Sequence, residues 1–198
     1  MDKNDLTPEA GFDIIHKAIS NFKMNYKEGA KIFLLWGWIL TLASFSSFII
    51  LRILHHREAY EHMGLWSLGN WAVFILIGFI IHFLVMRNIN MNKKVYSYLD
   101  TYINRLWQVT VAAFFMATLI CIRLEIDPPP IMLLIAGIST TTTGLLLKFK
   151  PVILGGMAFF VFSLATAFVP NEYSALLTGV AIMCGYLIPG YFLKSAKE

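Results

Sequence analysis

Six stretches of this chain stay mainly apolar over the roughly 20 residues, with a range of about 17–25, that a helix needs to cross a bilayer. They lie at about residues 30–53, 65–86, 106–124, 131–147, 151–169 and 175–193. The first reads AKIFLLWGWILTLASFSSFIILRI, and the second carries no formal charge. The fourth is short and polar for a span, because it holds GISTTTTG at residues 137–144 among Ile, Leu, Ala and Met. Ahead of the spans, Phe12, Ile15, Ile19, Phe22 and Tyr26 recur at steps of three and four, which is one face of a helix. Thr7 suits its N-cap and Pro8 its first position. Lys17, Lys23 and Lys27 fall off the stripe, so this helix is suited to the membrane interface. Val95, Tyr98 or Leu99, Tyr102 and Leu106 continue helical spacing through the second loop and extend the third helix. The pattern predicts an all-α, polytopic membrane protein. Residues 1–29 form a cytoplasmic or interfacial amphipathic helix, and residues 30–198 a bundle of six transmembrane helices.

Proline marks element ends. Pro130 and Pro151 are placed at first helical positions, where a missing N–H costs nothing. Pro189, in GYLIPGY, predicts a kink or an early stop in the sixth helix.

Composition agrees with this threading. Of 198 residues, 58% are apolar and 14% charged, against about 45–50% and 25% in ordinary soluble domains. The net charge of +4 is a matter of topology. All but three of the 16 Lys and Arg fall on one side of the six spans, with Arg52, Arg57 and Arg123 on the other. Cytoplasmic loops are the basic ones, so both termini are expected in the cytoplasm. The basic residues form no nucleic-acid patch, and no nucleic-acid partner is expected. The first 29 residues lack a secretory signal, which leaves the first span as an uncleaved one. Cys121 and Cys184 fit no metal or redox spacing and read as small apolar residues at different depths.

Chemistry is sparse. The centres of all six spans lack Asp, Glu, Lys and Arg, which counts against an ion-coupled pump. His82 lies near the cytoplasmic end of the second span and reads as an interfacial or hydrogen-bonded packing residue rather than a proton relay, and Asn70 lies near the outer end. No nucleophile elbow, phosphate loop or dinucleotide motif is present, no catalytic set is readable, and no cofactor is indicated. Two candidate sites remain. His55, His56 and His62, with Glu58 and Glu61, are dense in metal-ligating types but match no named spacing. Ser139, Thr140, Thr141 and Thr143 are candidates for ligand binding. Residues 139–143 sweep about 400° of an ideal helix, so they cannot all face one path. Ser139 and Thr143 share a face; Gly137, Thr141 and Gly144 make another, small enough for close helix contact. Each hydroxyl can bond the carbonyl one turn back. The run therefore reads first as a packing seam and second as a polar lining confined to one face. Gly37, Gly78, Gly155, Gly156, Gly179 and the Ala181/Gly185 pair add small positions of the same kind.

FLLWGWILTLAS (33–44), YLDTYINRLW (98–107), LLLKFKPVILGG (145–156) and GYLIPGYFLK (185–194) together resemble an uncharacterised family of small multi-pass bacterial inner-membrane proteins. The resemblance implies six membrane helices in a bacterial cytoplasmic membrane and carries no activity or site residues. The function expected from the sequence is membrane-embedded binding, sensing or regulation, directed at a lipid or small apolar molecule. Membrane lipid is the expected partner, with a cytoplasmic protein at the N-terminal helix as a further one. The alternative is a small transporter built from two inverted three-helix halves, with LLWGWILT at Leu34 and LLIAGIST at Leu133 as a faint internal echo. A broken fourth helix beside a cavity would mark it. A metal-dependent membrane enzyme using the three histidines is the third reading.

Overall fold

A computed structural model describes the backbone of residues 8–92 and 98–195, with side chains for most of 29–195. Every element of the described residues is helical. The order is α1 (Pro8–His56), a 3-10 turn (Tyr60–His62), α2 (Met63–Asn92), α3 (Tyr98–Leu124), α4 (Pro129–Leu147), α5 (Lys150–Thr166), α6 (Asn171–Ile182), a π-turn (Met183–Leu187) and α7 (Ile188–Ser195). The last three run on as one span, Asn171–Ser195.

Five helices are long and apolar enough to cross a membrane, the mark of a multi-pass membrane protein. The fourth stretch, short by its polarity, is among them at 19 residues. The short one is α5, whose 17 residues reach the lower limit for a span. Its helix stops at Thr166, three residues before the expected end. α1 passes through residue 29 without a break. The apolar stripe expected at 12–26 lies on side chains outside the described ones.

Helix ends are closed by an unexpected device. Glu58, Glu125 and Lys148 all take left-handed backbone angles, φ 55°, 55° and 52°. The next residue in each case bonds back five positions, Ala59 to the Leu54 carbonyl, Ile126 to Cys121 and Phe149 to Gly144. That is the wrap glycine usually provides at a helix C-terminus.

The core consists of α1, α4, α5 and the last span. α2 packs on α1, α3 packs on α4, and the two flanking helices leave broad apolar faces outward. Only 6% of the most apolar stretch of α2 is buried, against 56% for the last span. α2 is fixed to α1 by polar contacts as well as by the packing of Gly78 and Phe79 on Trp36. The Asn70 amide donates to the Ala43 carbonyl (2.9 Å) and the Ser47 hydroxyl (2.8 Å), while its own oxygen accepts from Ser46 (2.8 Å). Nearer the other end, Trp36 Nε1 donates to His82 Nδ1 at 3.3 Å. Both residues therefore serve packing, as the place of His82 in the sequence suggested.

α4 and α5 form the most extensive helix pair. A Cβ on Gly156 would run into the Thr141 hydroxyl and backbone, and one on Gly144 would lie 2.6 Å from Ile153 N. Gly137 meets Phe160 and the Gly156 carbonyl. With no room between the backbones, the Gly156→Ala variant is expected to lose about 1–3 kcal/mol, the usual range for overpacking. Gly69, with open space around it, is the control. Gly69→Ala should be neutral or slightly stabilising through helix propensity. Denaturant unfolding of both variants in mild detergent checks this, and equal effects would contradict the close contact.

Candidate functional site

The hydroxyl run on α4 faces four surroundings in turn. Gly137, Thr141 and Gly144 meet α5, as the spacing predicted. Ser139 faces α3, where its Oγ lies 2.7 Å from Thr110 Oγ1. Each of these two hydroxyls also reaches its own carbonyl one turn back, Ile135 at 3.0 Å and Leu106 at 2.8 Å. A hydroxyl has one proton, so one of the pair bonds backward while the other bridges the helices. Thr143 and Thr142 bond back to Ser139 and Ile138 carbonyls, both at 2.8 Å. Leu134, Ile138 and Leu145 form the outward face.

Thr140, wholly buried, points to the middle of the protein. Beside it lies Tyr186 on the π-turn, the hub of an aromatic cluster. Its ring meets Phe159 of α5 at 4.9 Å, Phe33 of α1 at 5.6 Å and Trp107 of α3 at 6.3 Å between centroids. Phe33 and Trp107 close the set edge to face at 6.3 Å. The π-turn has a local cause. Pro189 has no N–H for the Gly185 carbonyl, and Ile188 bonds instead to Met183, five residues back. The kink expected from Pro189 is this turn. Gly185 takes the Phe159 ring against its backbone, and Gly155 takes Pro189.

α4 is unbroken through its threonines. Two depressions among the described residues are open to the surroundings and lie elsewhere, one along α7 and one around Phe83, Met86, Arg87 and Met91. Of the four candidate ligand residues, Ser139, Thr140 and Thr143 are buried and Thr141 is packed on Gly156. Among the described residues, the Thr141 hydroxyl has no hydrogen-bond partner, and the Thr140 hydroxyl faces Tyr186 without completing a full hydrogen bond.

The histidines are not gathered. His55 and His56 end α1, and His62 lies in the 3-10 turn beyond. The left-handed Glu58 interrupts any helix between them, so the Glu58–His62 helical pairing does not form. The His55 ring rests against Tyr60 at 5.5 Å. Among the described residues, no three His, Cys, Asp or Glu side chains converge as a metal would require.

At the same end, two features escaped the sequence. Arg52 pairs with Glu172 at 3.0 Å and lies over the Tyr173 ring; at an exposed position such a pair contributes little to stability. Asp127, in the turn before α4, is half-buried, and burial pushes its carboxyl above the ordinary carboxylate range. The buried Ser174 hydroxyl faces it without completing a full hydrogen bond, and offsets part of that shift. No protein-family model, curated protein or solved structure matches the chain.

Two outcomes follow from these contacts. A double-mutant cycle on Thr110→Ala and Ser139→Ala should give a coupling of about 0.6 kcal/mol, with roughly 1.7 as the upper bound for such bonds in membranes; zero coupling would mean that α3 is not hydroxyl-linked to α4. Asp127 holds its proton more tightly in the folded than the unfolded chain. Its stabilising contribution is therefore complete below the ordinary value of 3.8 and is lost as pH rises through the higher folded value. Asp127→Asn should unfold at a higher temperature than the parent at neutral pH, and the gap should close on acidification below about pH 4. A gap independent of pH would refute the burial effect.

Proposed function

We propose that this chain is an integral protein of the bacterial cytoplasmic membrane, with both termini in the cytoplasm, that binds a lipid or small apolar molecule in a sensing or regulatory role. The observation that carries the proposal is the use of the mid-membrane hydroxyls. They bond back to their own helix, bridge to α3, face Tyr186 or pack on Gly156, and the two depressions of the described residues lie elsewhere. A carrier needs a broken helix or a chamber at the midplane, and α4 is continuous. What the fold offers outward is the apolar surface of α2 and α3, available to membrane-dissolved ligands. A cytoplasmic protein has a second place to bind, on the part of α1 ahead of its span at residues 8–28.

Orientation rests on the basic residues. Arg87, Arg105, Lys148, Lys150 and Lys194 all fall at the end of the bundle to which the N-terminal lysines also belong. The family resemblance supports the bacterial membrane. Fusions test the threading. A fluorescent protein at the C-terminus should mature, and alkaline phosphatase fused after residue 57 or 169 should be active. An active phosphatase at the C-terminus would reverse the orientation. Native mass spectrometry after mild extraction tests binding. Retained lipid or an apolar ligand is expected, and a bare chain under every detergent would remove the reading.

A further inference from the structure

The shallow depression along α7, about 600 Å³ in volume, is lined by Ile188, Tyr191, Phe192, Lys194 and Ser195. It lies where α7 runs antiparallel to α1. Gly190 packs on Leu34 and Phe33, and the Trp38 indole donates to the Tyr191 hydroxyl at 3.3 Å. These contacts set the register. Four residues past Gly190, Lys194 comes level with the start of the first span, near Lys31. Lys31 is two helical turns from Trp38 and on nearly the same face of α1. Lys194 and Ser195 stand three and four positions from Tyr191, on its face of α7. Both lysines are exposed, and neither has an ion pair among the described residues. On α1 from Gly29 onward and on the last span, the only described carboxylate is Glu172, paired with Arg52 at the opposite end. The Ser195 hydroxyl makes a long bond of 3.3 Å to the Phe192 carbonyl.

We propose that Lys31, Lys194 and Ser195 form a headgroup site for an anionic phospholipid, whose acyl chain lies over Ile188, Phe192 and the Trp38–Tyr191 pair. The layering matches the bilayer. Cations and a hydroxyl donor stand at the span's end, an amphipathic aromatic pair is set about one to two turns in, and an apolar wall continues beyond. Two ammonium groups with no ion pair among the described residues favour a phosphodiester with net negative charge over a zwitterionic headgroup. The idea rests on the binding reading above and names its ligand class.

The test is native mass spectrometry of the full chain, titrated with phosphatidylglycerol or phosphatidylcholine in neutral detergent. Phosphatidylglycerol should be retained in preference, and Lys31→Gln or Lys194→Gln should each weaken that retention about fivefold, the factor expected per lysine. Phosphatidylcholine retention should not change, and Lys148→Gln should have no effect on either lipid. Unaltered thermal unfolding of the two variants certifies their fold. An anionic preference that survives the Lys31→Gln/Lys194→Gln double variant overturns the site, as does equal displacement by inorganic phosphate at matched concentration. If the parent retains both lipids alike, this site fails while the binding reading stands. If it retains neither lipid nor any other apolar ligand, both fail.

Discussion

Gly156 of α5 stands so close to Thr141 of α4 that no methyl group fits between them. In hydrocarbon, apolar side chains gain little by leaving lipid for one another, so helices are held by van der Waals contact at short range and by hydrogen bonds. Close contact of this kind is available only where side chains are small. The α4–α5 pair has it at Gly137, Gly144 and Gly156 in succession. The rest of the bundle depends on this pair being a rigid block. α3 hangs on it through Thr110 and Ser139, and the last span lies against it through Gly155, Gly185 and Pro189.

The same economy governs the other polar groups. Asn70, His82, Ser44 and Ser163 each make a helix-to-helix bond, the last two to the Ala175 and Pro130 carbonyls at 2.6 Å. Tyr186 is placed by a π-turn that a proline creates, and its ring touches α1, α3 and α5 together. Nearly every group that might have lined a path is spent on architecture. This pushes function outward, to the lipid-facing helices and the charged ends.

Much of this architecture was legible in the chain. Spans are readable because a bilayer imposes one length and one polarity on them, and the faces of the hydroxyl run follow from helical geometry alone. The seam residues Gly137, Thr141 and Gly144 were assigned to one contact by spacing, and α5 is what they touch. The helix ends at Glu58, Glu125 and Lys148 were illegible, because the left-handed stop carries a charged residue where a glycine signals it. Asp127 and Glu172 were silent for another reason. Each acquires its role from a partner on a distant segment, Ser174 and Arg52, and no local pattern encodes such a meeting. The histidine cluster shows the limit of local density as a signal. Its density suggested convergence, but the turn at Glu58 keeps its members on separate elements.

The central claim is that residues 139–143 are packed rather than wet, and cysteine scanning across them tests it most directly. Single cysteines at 139, 140, 141 and 143, with Cys121 and Cys184 replaced by alanine, would be exposed in intact membranes to a charged thiol reagent from either side. The account predicts no labelling at any of the four positions, with ready labelling of a control cysteine at exposed Lys148. Labelling of Ser139→Cys and Thr143→Cys together, which share one helix face, would contradict it and restore a polar lining.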